Sequence, residues 1–295
     1  KTTYRAQRRG GKGVIGATTR EEDFVEQMYV TSTHDPIMFF TNRGRVYQLN
    51  CYEIPEAERT ARGRAIVNIL QLENGEKVTA VIPRKEDSTG NLIMATRQGL
   101  IKKTALEEFE SIRKSGKIAI SLTEDDELIG VDMTTGYDEI LMASHEGKCI
   151  RFSEEEVRAM GRDTMGVRSM KLDEGDYVVD MAIARNGVEV LTISENGFGK
   201  RSDLVDYRLQ SRAGKGIKAG TFNEKTGKLV NLKLIDPEND IMLIADNGIV
   251  IRVRAKEISK IGRDTMGVRV MKFKGDAKVV CVSESPASEE LEAEE

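Results

Sequence analysis

The sequence predicts an all-β, propeller-like repeat fold, and three observations predict it. A glycine followed by a short strand-like segment returns six times, at Gly13, Gly63, Gly116, Gly166, Gly216 and Gly267, with separations of 50, 53, 50, 50 and 51 residues. Fixed periods of this length mark solenoids, propellers and arrays, whose units bury their apolar faces against neighbouring units. In phase with the glycines stand five segments built as apolar run, short turn closing on glycine, second run: 37–49, 92–103, 140–152, 190–201 and 241–253. A further apolar segment completes each interval, at 76–83, 126–133, 176–183, 228–235 and 277–284. Two hairpin strands, the glycine-led strand and this last strand give four strands in about 50 residues, which describes a blade.

Each element has its own local warrant. Glycine at the close of the hairpin turns supplies positive φ, and Asn-Gly at 196–197 and 247–248 is the strongest short-range form of that signal. Alternating apolar and polar residues in DYVVDMAI (176–183) and KLVNLKLI (228–235) suit a sheet face packed on a neighbour. Between hairpin and glycine lie short polar stretches, 153–163, 202–212 and 254–264, which read as peripheral loops. Ser153 and Glu156 fit a capping box, so one helical turn is expected there. The chain opens at Lys1 with KTTYRAQ and shows no hairpin ahead of Gly13, so a truncated first blade is expected, with its hairpin upstream of Lys1 or the ring open. After Val282 the chain has no apolar periodicity and one sign of charge, which predicts a β domain over 1–283 and a disordered acidic tail over 284–295.

Composition narrows the function classes. The absence of Trp disfavours propellers with a Trp-Asp signature, and no apolar run reaches the roughly 18 residues of a membrane span. No signal-peptide pattern precedes the first repeat, and Cys51, Cys149 and Cys281 are isolated from one another, as expected of reduced side chains in a cytoplasmic protein without disulfide or metal roles. The net charge of −4 argues against a polyanionic partner until the charges are located. Six acids fall in the last twelve residues, leaving 45 bases against 43 acids in residues 1–283. Within that body the bases gather at the glycines and at the hairpin exits, so equivalent positions of successive repeats are expected to form a basic rim.

The densest feature is QRRGGKG at 7–13, in which Arg8, Arg9 and Lys12 interleave with Gly10, Gly11 and Gly13. Glycine lets the backbone approach a polyanion, and the cations neutralise phosphates and release their counterions. A degenerate copy, QSRAGKG, stands at 210–216 in the same phase of the repeat. Gly11, Gly13 and Gly16 also spell GxGxxG, but a dinucleotide fingerprint needs a strand before it and a helix after it, and GGKG lacks the Ser or Thr of a phosphate-binding loop. GRDTMGVR occurs twice, at 161–168 and 262–269. Its arginines either contact phosphate or pair with Asp to fix the loop. His34 and His145 have no nucleophile context, and acid pairs such as Asp125–Asp126 sit in turns, so catalysis is not expected.

Across essentially the whole chain, QRRGGKG together with YRAQRRGGKG, THDPIMFFTNRGRVY, YEIPEAERTARGRAIVN and GRDTMGVR resembles the carboxy-terminal domain of the DNA gyrase A protein. The resemblance implies a six-bladed β-pinwheel with strands exchanged between blades, and a basic outer rim around which double-stranded DNA is wrapped so that negative supercoils can be introduced. It implies no catalytic residue, metal or cofactor in this chain: the cleaving tyrosine, ATP and Mg²⁺ belong to other parts of an A2B2 enzyme built with the gyrase B protein, in the cytoplasm at the nucleoid. The chain by itself is expected to be monomeric. The DNA-binding residues expected are Gln7, Arg8, Arg9, Gly10, Gly11, Lys12 and Gly13, then Arg43, Arg45, Arg62, Arg64, Lys102, Lys103, Lys114 and Lys117. Further along they are Arg162, Arg168, Lys200, Arg201, Arg212, Lys215, Arg263 and Arg269. Two other readings stand beside this one: the DNA-binding domain of topoisomerase IV, which usually lacks the 7–13 motif, and a propeller scaffold for proteins.

Overall fold

The computed structural model describes residues 14–15, 33–57, 64–85, 87–185 and 188–287. Among them the strands form five four-stranded antiparallel sheets. Blade 1 orders its strands Val78–Pro83, Pro36–Thr41, Arg45–Asn50 and Lys117–Ile118, from inner to outer edge. Blade 2 has Leu128–Thr134, Asn91–Thr96, Leu100–Ala105 and Val167–Arg168, and blade 3 has Val178–Ala184, Glu139–Ser144, Lys148–Ser153 and Ile217–Lys218. Blade 4 has Leu229–Ile235, Glu189–Ser194, Phe198–Asp203 and Val268–Arg269, and blade 5 has Val279–Ser285, Asp240–Ala245, Ile249–Arg254 and Val14–Ile15.

The hairpin strands read as unbroken apolar runs because both of their faces are covered. Leu92 and Met94 pack with Met38 and Phe40 of blade 1, whereas the alternate residues Ile93 and Ala95 pack with Ile140 and Met142 of blade 3. The spaces between blades 3 and 4 and between blades 4 and 5 hold apolar clusters of the same pattern. The inner strands add a backbone stitch at each junction. The amides of Leu128, Val178, Leu229 and Val279 donate to the carbonyls of Asn42, Arg97, His145 and Glu195 in the preceding blade's hairpin turn, at 2.8–3.1 Å. All five hairpin turns close on a glycine with φ between +77° and +93°, as the turn chemistry requires. On the same face, Arg97 lies over the Tyr177 ring at 4.0 Å, Tyr177 stacks on His145 at 4.6 Å, and Glu195 accepts from both His145 Nε2 (3.2 Å) and Lys278 Nζ (2.9 Å). His145 thus joins blades 3 and 4.

The outermost strand of each blade is lent by the repeat that follows. Lys117–Ile118 comes after the hairpin of blade 2 yet pairs with Arg45–Val46 of blade 1, and the exchange recurs at Val167–Arg168, Ile217–Lys218 and Val268–Arg269. Val14–Ile15 completes blade 5 by pairing with Ile249–Val250, which joins the beginning of the chain to its last hairpin.

Several expectations change. Six blades, the first truncated, are expected, and among the described residues five are found, one for each of the five hairpins of the sequence, each with its borrowed edge. The glycine-led segment after Gly63 forms no strand in its described part: with no free hairpin edge among the described residues to join, Ile66–Asn68 forms a 3-10 turn. At the other end the sheet extends past residue 283, since Glu284 and Ser285 pair with Ile241 and Asp240, and Glu284 accepts from the amide of Asp236 at 2.9 Å. The helical turn expected near Ser153 is a 3-10 turn, Glu154–Glu156, with Ser153 capping the amide of Glu155 rather than that of Glu156.

Because Met94 is fully buried between blades 1 and 2, Met94→Ala is expected to cost about 2–5 kcal/mol, read from urea unfolding of the whole chain.

Candidate nucleic-acid interface

The borrowed outer strands fix where cations can face outward. Each is two residues long, and its second residue, two positions past the repeat glycine, is exposed: Ile118, Arg168, Lys218 and Arg269 on blades 1 to 4. The side chains of Arg168 and Lys218 make no ion pair among the described residues, and Arg269 lies over the Phe198 ring at 4.9 Å. Lys218 is absent from the residues expected from the sequence. Its phase, two residues after Gly216 as Arg168 follows Gly166, is the signal that finds it.

One turn earlier in the same loops a second row of arginines ties the blades together. Arg162 Nη1 donates to the carbonyl of Ile118 (3.0 Å), Arg212 Nη1 to that of Arg168 (2.5 Å), and Arg263 Nη1 to that of Lys218. Arg212 Nε also donates to Glu156 O and Arg263 Nε to Asp206 O. These three guanidinium groups are half-buried staples between adjacent outer strands, so the arginine of GRD fixes the loop through backbone carbonyls of the neighbouring blade and not through its own Asp.

Four of the expected rim residues lie inside the blades. Lys102 and Lys200 are essentially inaccessible, and Lys103 and Arg201 are 8% exposed. Lys102 Nζ donates to the carbonyls of Ala119, Arg162 and Thr164, and Lys200 Nζ to those of Arg263 and Thr265. Lys103 pairs with the buried Glu154 (3.7 Å), while Arg201 pairs with Glu189 (2.5 Å) and donates to the carbonyls of Ile258 and Lys256. In a strand covered on both faces, a cation at a hairpin exit has only the interior to enter. Burial pulls the ammonium groups of Lys102 and Lys200 down to about 8.

The remaining expected residues divide by their partners. Arg43 and Arg45 share Glu73 at 3.2 and 3.7 Å, and Lys117 Nζ donates to Glu110 O at 2.5 Å. Arg64 and Lys114 line one cleft of about 470 Å³ with Tyr47, Leu49 and Val67, and Lys215 is exposed at its loop tip. Gln7 to Gly13 and Arg62 lie outside the described residues. Among the described residues no group of three His, Cys, Asp or Glu side chains is placed to hold a metal ion, and no helix is long and apolar enough to cross a membrane.

The family described as DNA gyrase C-terminal domain, beta-propeller, matches residues 2–32, 35–85, 90–135, 138–185, 189–236 and 239–282, six segments on the same period as the blades. The chain belongs to this DNA gyrase C-terminal domain family. The gyrase A protein of Escherichia coli (strain K12) is 47% identical over 278 residues, covering 94% of this chain and 32% of the relative. The gyrase A protein of Staphylococcus aureus (strain MRSA252) is 45% identical over 300 residues, covering 100% of this chain and 34% of the relative. The chain thus spans about a third of the length of these relatives. A solved DNA gyrase A C-terminal domain shares the fold with a TM-score of 0.86 and 26% identity, over 96% of this chain and 94% of that one. The C-terminal domain of DNA topoisomerase IV has the same fold, with a TM-score of 0.79 at 24% identity over 93% of this chain and 87% of that one.

The buried lysines give this gyrase-family domain a measurable pH signature. Their folded values near 8 lie below the 10.5 of a free lysine, so between these limits the unfolded chain holds more protons than the folded one, and stability rises with pH. In urea titrations the native chain is expected to gain stability from pH 8 to 10.5 relative to the Lys102→Met/Lys200→Met double variant. Parallel curves for the two proteins would show that the ammonium groups are not held in the folded interior as described.

Proposed function

We propose that this domain binds double-stranded DNA along its outer edge and bends it there, the wrapping step by which a gyrase A protein supports negative supercoiling in concert with the cleaving and ATP-using parts of the enzyme. The observation that carries this reading is the row Arg168, Lys218 and Arg269: three exposed cations at one register of the outermost strands of consecutive blades, on a curved edge. The staples from Arg212 and Arg263 hold those strands side by side. Lys215 adds a cation at the tip of the loop between two of them.

Curvature demands such a series. Bending 20–30 base pairs of duplex through a large angle costs about 1–6 kcal/mol, so one cluster of charge does not hold it and several blades must contribute. Contacts of this kind go to phosphate, which positions DNA without reading its sequence. The low aromatic content, 5%, provides no stacking platform for single strands, which favours duplex as the partner. The motif QRRGGKG at 7–13 immediately precedes in sequence Val14–Ile15, the borrowed edge of blade 5, in the phase at which the other repeats carry their glycine. Its intact sequence favours the gyrase role over that of topoisomerase IV.

Replacing Arg168, Lys218 and Arg269 together by Ala is expected to lower the slope of log affinity against log salt by about 2.7, near 0.9 for each phosphate contact removed. Replacing Arg8, Arg9 and Lys12 together by Ala is expected to abolish the topological shift in a ligation assay on circular DNA while leaving binding to linear duplex. An undiminished shift would show that this motif is not the clamp.

A further inference from the structure

The two copies of GRDTMGVR fold over one buried ammonium each, with matching partners. Lys102 Nζ takes the carbonyls of Arg162 (2.5 Å) and Thr164 (3.2 Å), and Lys200 Nζ takes those of Arg263 and Thr265 (2.7 Å). At the same strand position blades 1 and 3 carry Tyr47 and Ile150, and the loops over them read RKSG and SRAGKG. Buried lysine and GRDTMG loop therefore occur together, on blades 2 and 4.

A trans peptide group is planar, and its C=O and N–H point in opposite directions. With the carbonyls of Arg162 and Thr164 turned inward onto Lys102, the amides of Asp163 and Met165, which share those peptide planes, point away from it. Asp264 and Met266 stand in the same relation to Lys200. None of these four amides has an acceptor among the described residues. Met165 is 42% exposed, with Asp163 and Asp264 exposed beside the same loops. Amides without an acceptor at a surface loop, with Arg168 or Arg269 exposed a few residues on, are donors suited to an oxyanion. The carboxylates of Glu108 and Asp163 act on Lys102 together with Arg162, and that of Asp264 acts on Lys200 together with Arg263, while Arg168 and Arg269 are exposed two residues past the glycine of each loop.

We propose that the two GRDTMG loops are phosphate cradles, in which the backbone amides of Asp163 and Met165, and of Asp264 and Met266, receive phosphodiester oxygens of duplex DNA, with Lys102 and Lys200 as the positioning residues. The proposal rests on the DNA-wrapping reading above. It makes the rim alternate: blade 3 offers the side chain of Lys215 at the loop tip, whereas blades 2 and 4, with Met165 and Met266 in that place, offer main chain.

The test is residue-resolved amide exchange on the full chain, free and saturated with a mixed-sequence 20-base-pair duplex. Hydrogen bonds to phosphate are expected to slow the four amides about tenfold or more. In Lys102→Met the protection at Asp163 and Met165 is expected to vanish while that at Asp264 and Met266 persists, and Lys200→Met is expected to show the converse, a split that general loss of stability does not produce. If either variant fails to fold, the native chain still decides. Duplex bound in a salt-dependent gel shift with all four amides exchanging at their free rates overturns the cradles and leaves wrapping intact. Duplex not bound at all overturns both.

Discussion

The whole architecture depends on a hydrogen-bonding constraint at the sheet edge. A blade of three strands would leave the outer strand of its hairpin with unpaired backbone groups, which costs free energy and invites association with other chains. Here each outer edge is covered by two residues of the following repeat, and blade 5 is covered by Val14–Ile15 from the start of the chain. Because the borrowed strand must cross from one blade to the next, the loop that precedes it is drawn to the periphery at every junction. The same requirement that satisfies the edge thus creates a row of equivalent loops, and Arg168, Lys218 and Arg269 stand exposed along that row.

Depth, and not charge alone, separates the roles of the cations. Those in the middle of hairpin strands, Lys102, Lys103, Lys200 and Arg201, are enclosed on both faces and spend their donors on carbonyls or on a single carboxylate. An ammonium in the interior is tolerated only with such partners, and these lysines hold the loops that carry the surface charges. The half-buried arginines 162, 212 and 263 reach across to the adjacent blade. At the very edge, the side chains of Arg168 and Lys218 make no ion pair among the described residues. A mutation of an inner cation therefore alters the rim indirectly, through the loop it supports.

Much of this was legible in the sequence, for physical reasons that also explain what was not. The unbroken apolar runs at 92–95, 140–143 and 241–245 mark strands covered on both faces, and the glycine spacing marks the repeat, so blade, hairpin and inner strand fall where expected. The direction of a charged side chain is invisible to charge counting. Lys102 and Arg168 each lie in a basic cluster beside a glycine, yet one follows Leu100–Ile101 in a central strand and the other ends a two-residue edge. Phase within the strand distinguishes them, and the same phase would have added Lys218. The five hairpins counted in the sequence correspond one to one with the five sheets among the described residues, whereas the six blades that the resemblance implied, the first of them truncated, are not all found there.

Ile118 sharpens the account of the edge. It occupies the register of Arg168, Lys218 and Arg269, is 47% exposed, and shows that the position accepts an apolar residue without loss of the strand. The cations on blades 2 to 4 are therefore not required by the sheet: the pairing needs only backbone, and the residue that follows the inward-facing one is unconstrained by packing. Blade 1 is also where neighbouring cations are already engaged, with Arg43 and Arg45 on Glu73 and Lys117 on the Glu110 carbonyl. Charge along the rim is thus graded by blade on a scaffold that repeats.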